Sequence, residues 1–146
     1  MRVRDLLARK PSKLVTVEPN AHIGTAISLL MAHNVGGLPV MSSNGNLQGY
    51  IAERDIVRAV RLHGGTFHDL RVEQIMQPAP VCDADDTVEE GMLRMTMERL
   101  RHLVARDGNR IVGVISVGDI VRLRLEELET ERGVLRDYVA AHRAAS

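Results

Sequence analysis

An α+β fold in which one β-α-β-β-α unit is used twice is what this 146-residue sequence predicts. Three observations carry that reading. The strings GYIAERDIVR at 49–58 and GVISVGDIVR at 113–122 lie 64 positions apart and share six of ten residues. Asn44-Gly45 and Asp107-Gly108 each separate two apolar runs, the short-range signal of a β-hairpin with a type I′ turn. Between the strands, apolar residues recur at helical spacing: Ile23, Ile27, Leu30 and Met31 in the first half, Val88, Met92 and Met95 in the second.

Taken in order, the first half reads as a strand LVTV (14–17), a helix over about 22–34, a strand GGLPVM (36–41), a strand LQGYIA (47–52) and a helix over about 53–62. The second half repeats the order with PVC (80–82), a helix over about 87–99, HLVAR (102–106), RIVGVIS (110–116) and a helix from 117 onward. His63-Gly64-Gly65 ends the first half, because glycine supplies a left-handed helix cap. VRDLL (3–7) and VEQIM (72–76) precede the two halves in the same way. The expected organisation is repeat 1 over 1–63, a linker over 64–71, repeat 2 over 72–127 and a C-terminal helix extension over 128–146. In that extension Val121, Leu125, Leu128, Leu135 and Val139 form a stripe interrupted by Arg132. The stripe fits packing on its own module or a dimer contact, and Gly133 weakens the helix by about 1 kcal/mol relative to alanine.

Composition narrows the function classes. A chain of this length can bury roughly 68–70% of its unfolded surface and needs no staples. With 45% hydrophobic residues and only Tyr50, Phe67 and Tyr138 as aromatics, the core has to be aliphatic and Met-rich. Nineteen basic residues balance nineteen acidic ones, so the basic excess of a nucleic-acid binder is missing. No apolar run approaches the roughly 20 residues that span a bilayer, and the N-terminus has no signal-peptide core. Cys82 is alone and reads as a buried filler; together with the missing leader it makes a reducing, cytoplasmic setting the expectation. His63 and His68 have no third ligand arranged with them, and neither a nucleophile elbow nor a P-loop occurs. A sensor is therefore expected, not a catalyst.

The joint between the last strand and the last helix is where chemistry concentrates. Ser116-Val117-Gly118-Asp119 has capping-box spacing, with Asp as the acid. Ser116 can cap the helix and Asp119 can favour the positive end of its dipole. The same geometry suits a ligand: helix N–H groups and a hydroxyl attract phosphate, and a carboxylate one turn on can accept a ribose diol. The first copy keeps Asp55 but has Ala52 in place of the serine. Arg54 and Arg58 can compensate electrostatically or stand as solvated surface, and Arg101 and His102 can face a phosphate or form a rim.

VTVEPNAHIGTAISLLMAHNVGGLPV at 15–40 and the two strings of the form Gly-h-h-(Ser/Thr)-x-x-Asp, where h is hydrophobic and the first copy departs at Ala52, resemble the CBS domain, and the tandem resembles a Bateman module of the stand-alone CBS-pair type. The resemblance runs from about residue 3 to about 127. It implies two repeats packed about a pseudo-twofold axis, with two clefts for adenosine nucleotides. Carried over by position, Ser116 and Asp119 hold phosphate and ribose in one cleft, with Ala79, Pro80 and Val81 from the preceding strand and Arg101 nearby. Asp55 holds ribose in the other, with Lys13, Leu14, Val15 and Pro39. Val104 stands where the family usually has proline. The resemblance implies a regulatory module that binds AMP, ADP or ATP, or less readily NAD(H) or S-adenosylmethionine. It implies no required cofactor and no catalysis of its own, a homodimer and an unidentified regulated protein. The Ser116/Asp119 cleft is expected to bind more tightly. A ligand-free dimerisation or protein-interaction scaffold is the alternative.

Overall fold

The computed structural model describes residues 1–10 and 14–145. The chain runs α1 (Val3–Arg9), α2 (Ile23–His33), β1 (Gly37–Met41), β2 (Leu47–Ala52), α3 (Glu53–His63), a 3₁₀ turn (Gly64–Asp69) and α4 (Val72–Ile75). It continues with β3 (Val81–Asp83), α5 (Val88–Met97), β4 (His102–Asp107), β5 (Arg110–Ser116) and α6 (Val117–Ala145). The α+β class and the duplicated unit stand as expected. Helix ends follow local chemistry: the Thr87 hydroxyl accepts from Glu90 N at 3.1 Å while the Glu90 carboxylate accepts from Thr87 N at 3.0 Å. At the other end of α5, Arg99 turns left-handed (φ 55°), as Asn34 does after α2 (φ 51°). Leu100 N and Val35 N then reach back to Met95 O and Leu30 O at 2.9 and 3.1 Å, closing the same C-terminal motif in both repeats.

Two local expectations are corrected. LVTV forms no full strand; only Val17 bridges, in parallel, to Val40, so the first sheet has two strands and the second three. The reason lies at equivalent positions 39 and 104. Val104 N donates to Pro80 O at 2.7 Å, fixing β3 against β4. Pro39 has no N–H to donate, so the segment before Val17 gains no such ladder bond. The turns are not type I′ either. Gly45 (φ 86°) and Gly108 (φ 62°) are left-handed, but Asn44 and Asp107 are not. Gly45 N donates to Ser42 O at 2.9 Å and the register slips between Val40 and Met41, as in a three-residue loop with a glycine bulge. In the second hairpin Asp107 pairs with Arg110, so Gly108-Asn109 are the loop residues.

The segments ahead of the repeats are exchanged. Val3 and Leu6 of α1 are buried with Val88, Leu103 and Ile115 of the second repeat, whereas Val72 of α4 is buried with Ala26, Leu38 and Ile51 of the first. Matching backbone bonds hold both exchanges. Val3 N and Arg4 N donate to Asp86 O and Ala84 O at 2.9 Å each, and Val72 N and Glu73 N donate to Ala21 O and Pro19 O at 2.9 and 2.8 Å. The shared glycine of the two strings is explained here. A Cβ on Gly49 would lie 2.8 Å from Gln77 O, and one on Gly113 would lie 2.6 Å from Leu7 Cδ2, where the exchanged segments cross the sheets. A third cluster, Tyr50, Val104 and Ile111, joins the two sheets.

Candidate functional site

Two clefts open where the repeats meet, and each ends on the N-terminus of the helix that follows the second hairpin strand. The smaller, about 390 Å³, holds Ser116, Asp119, Arg122, Lys10, Leu14 and Val15 among its walls. The larger, about 590 Å³, holds Ala52, Asp55, Arg58, Pro80, Arg99 and Arg101. Both volumes fall in the range of small-molecule sites. His102 and Gly36 line both.

In the smaller cleft the capping box is complete. Asp119 accepts from Ser116 N at 2.9 Å, and Asp119 N donates to Ser116 Oγ at 3.1 Å. Lys10 Nζ adds bonds of 2.8 Å to Asp119 Oδ2 and to Val114 O, and Arg122 lies 3.8 Å from Oδ1. Burial pushes the Asp119 carboxyl upward, but the Lys10 ammonium and the Ser116 N–H outweigh it and hold the group below the usual carboxylate range. The cleft thus carries a buried, charged carboxylate with one oxygen committed to Lys10 and Ser116.

The larger cleft has half of that box. Ala52 N donates to Asp55 Oδ2 at 2.8 Å, and Ala52 has no hydroxyl to answer Asp55 N. Arg58 stands 3.5 Å from Asp55 Oδ1, equivalent to Arg122 beside Asp119. The Tyr50 hydroxyl is buried without a partner among the described residues; burial, then the Asp55 charge, push its phenol upward. Arg54, Arg58, Arg99 and Arg101 give this cleft four guanidinium groups, donors that match planar anions.

The grouping expected from sequence is crossed. Ser116 and Asp119 share their cleft with Leu14 and Val15, while Pro80 and Arg101 share theirs with Asp55. The sheets pack through Tyr50, Val104 and Ile111, so each helix N-terminus faces the leading segment of the other repeat. Ala79 packs against that cluster, Val81 pairs with Val104 in the sheet, Pro39 is fully buried, and none of the three lines either cleft. Lys13 lies outside the described residues. Sequence reasoning missed Lys10, which only the exchange of α1 brings to Asp119. Arg122 and Arg99 were also missed, although the arginine ending both strings was a readable signal for Arg122 and its equivalent Arg58. Cys82 is buried, and burial pushes its thiol up to about 11. Among the described residues no helix is long and apolar enough to cross a membrane, and no group of three or more His, Cys, Asp and Glu stands together to hold a metal ion.

Comparison with known proteins bears on the same architecture. A CBS-domain protein of Agrobacterium tumefaciens has 36% identity and a TM-score of 0.78, over 84% of this chain and 98% of that one. The CBS domain pair of protein MJ0100, solved with 5′-methylthioadenosine and S-adenosyl-L-methionine, has 26% identity and a TM-score of 0.75, over 87% and 98%. Inosine-5′-monophosphate dehydrogenase of Methanocaldococcus jannaschii is 32% identical over 113 residues, 76% of this chain, and the chain spans only 22% of that enzyme's length. The family pattern described as CBS domain matches twice, at residues 3–62 and 72–126. With both repeats matched and their sheets joined across two clefts, this chain belongs to the CBS domain family, as a tandem pair.

Proposed function

We propose that the chain is a regulatory module that binds an adenine nucleotide, AMP, ADP or ATP, and performs no catalysis of its own. The observation that carries this reading is a buried carboxylate at a helix N-terminus, with cations on the same wall, in each of two clefts. Asp119 and Asp55 are 8% and 7% exposed and each keeps an oxygen toward its arginine, suited to a ribose diol. Lys10 and Arg122 in one cleft, and four arginines in the other, are suited to phosphates. The two ligands of the MJ0100 pair both contain adenosine, which supports the ribose and base part of the reading. The larger, more cationic cleft takes the longer polyphosphate. NAD(H) and S-adenosylmethionine fit less well, since neither ends in a terminal phosphate for these cations to hold. A homodimer, a regulated protein partner and a cytoplasmic setting complete the proposal, with no role for nucleic acid or membrane.

A ligand that binds only the folded chain stabilises it by about 2.7 kcal/mol at a hundredfold excess over Kd. For a chain of this size that raises Tm by roughly 5–11 °C. Thermal shift with AMP, ADP, ATP, NAD and S-adenosylmethionine is the test, with Asp119→Ala and Asp55→Ala expected to remove the response cleft by cleft. A flat response to every adenosine compound at millimolar concentration would leave the ligand-free scaffold. One contact favours that second reading: Lys10 already satisfies Asp119 at 2.8 Å.

A further inference from the structure

The last helix outruns the body it grows from. α6 spans 29 residues, Val117–Ala145, about 44 Å at 1.5 Å per residue. Ile120 and Leu123 are buried against the second repeat at 3% exposure each. Beyond them Leu125, Leu128, Val134, Leu135, Tyr138 and Val139 are all exposed. A free helical arm of this length is marginal in water unless its apolar face is packed, and Gly133 loosens it further. The stripe therefore needs a cover, and the charges along the arm say which. Residues 126–131 hold four glutamates and no base, whereas residues 132–145 hold Arg132, Arg136 and Arg143 against Asp137.

We propose that the free half of α6 pairs antiparallel with α6 of a second copy of this chain. In that orientation the acidic stretch of each helix lies along the basic stretch of the other, twice over by the twofold axis, and the helix dipoles oppose. The apolar stripes face each other, with Leu128 of one helix beside the Leu135 region of its partner. A parallel pair would place Arg132 against Arg132 in the seam. This mode of assembly does not rest on the adenine-nucleotide reading, since none of these residues lines a cleft.

The full-length chain should sediment as a dimer at micromolar concentration. The variant L128D/L135D, which alters only exposed side chains, should weaken self-association at least a hundredfold and leave the circular-dichroism melt cooperative. A spin label on Ala144→Cys should report a label separation of roughly 37–40 Å, set by the helix rise on either side of the axis. A monomeric wild-type chain, a dimer untouched by L128D/L135D, or a label separation below about 15 Å would each overturn the proposal. Capture of a different protein by an α6 that stays monomeric would do the same.

Discussion

His102 is the side chain that the two clefts have in common, and its titration reports on both. Its ring centroid lies 5.6 Å from that of Tyr50, and a Cβ on Gly36 would come within 3.3 Å of its edge. Burial lowers its basicity below the ordinary value; Lys10 and Arg101 add to that, while Asp119 and Glu53 oppose it. A folded-state pKa held down means that the neutral ring is the form the fold favours. The associated stability is present above the unfolded value of about 6.5 and is lost as pH falls through the folded one. Asp119 stays out of this window, because its own depressed titration lies below about 3.9. The expected outcome is a Tm that falls between about pH 7 and pH 5, with a visibly smaller fall in His102→Gln; equal slopes for the two proteins would exclude His102 as the source. A phosphate bound beside the ring would favour the imidazolium, so nucleotide affinity should rise as pH falls over the same interval. Lys10 teaches the complementary lesson at this scale. Nothing in its neighbours MRVRDLLARK announces a partner for Asp119, 109 positions away, and only the docked α1 supplies one.

Among the elements, β3 shows how one backbone N–H decides whether a strand exists. Val104 is fully buried and its N–H holds Pro80 O at 2.7 Å; the equivalent Pro39 leaves its neighbour segment with a single bridge at Val17. Val104→Pro should therefore release β3, taking the donor from the half-buried Pro80 carbonyl at a cost of about 0.5–1.5 kcal/mol, or roughly 1–6 °C in Tm. Amide exchange at Cys82 and at Ala84, whose N–H donates to Arg106 O at 2.8 Å, should accelerate at the same time, and an unchanged melt would show that the ladder bond contributes nothing net. The helices and both hairpins were legible in the sequence because their signals are local, namely apolar spacing, an Asx-Gly pair and a capping box at Ser116–Asp119. The first strand was misread because LVTV alternates like a strand, and the missing donor sits 24 positions away from Val15 at Pro39. Turn type was misread because Asn44-Gly45 and Asp107-Gly108 say that a left-handed glycine is needed, not which loop position it fills. The partition of Val15 and Pro80 between the clefts was misread because it depends on which faces of the sheets meet, and no spacing within either repeat encodes that.

At the scale of the whole molecule, the exchange of α1 and α4 makes the two repeats one folding unit. Each repeat takes its final helix from a segment that precedes the other, through equivalent pairs of backbone bonds. The seven residues of α1 are too few to be helical alone; they are held by Val3 and Leu6, which fill the core of the second repeat. An opening in that core also frees Lys10 from Asp119, which ties the integrity of the smaller cleft to a helix nearly the whole chain away. Leu6→Ala removes a side chain that is 5% exposed and should cost about 2–5 kcal/mol, as large-to-small changes in well-packed cores do. Its location in the first ten residues would make a trivial end effect the simpler expectation, so the informative measurement is where protection is lost. Hydrogen exchange in Leu6→Ala should rise first in α5, β4 and β5, which surround the vacated space. β1 and β2, whose cluster is closed by Val72 and not by α1, should follow only with global unfolding. Faster exchange confined to residues 1–10, or beginning in β1 and β2, would mean that α1 does not complete the second repeat.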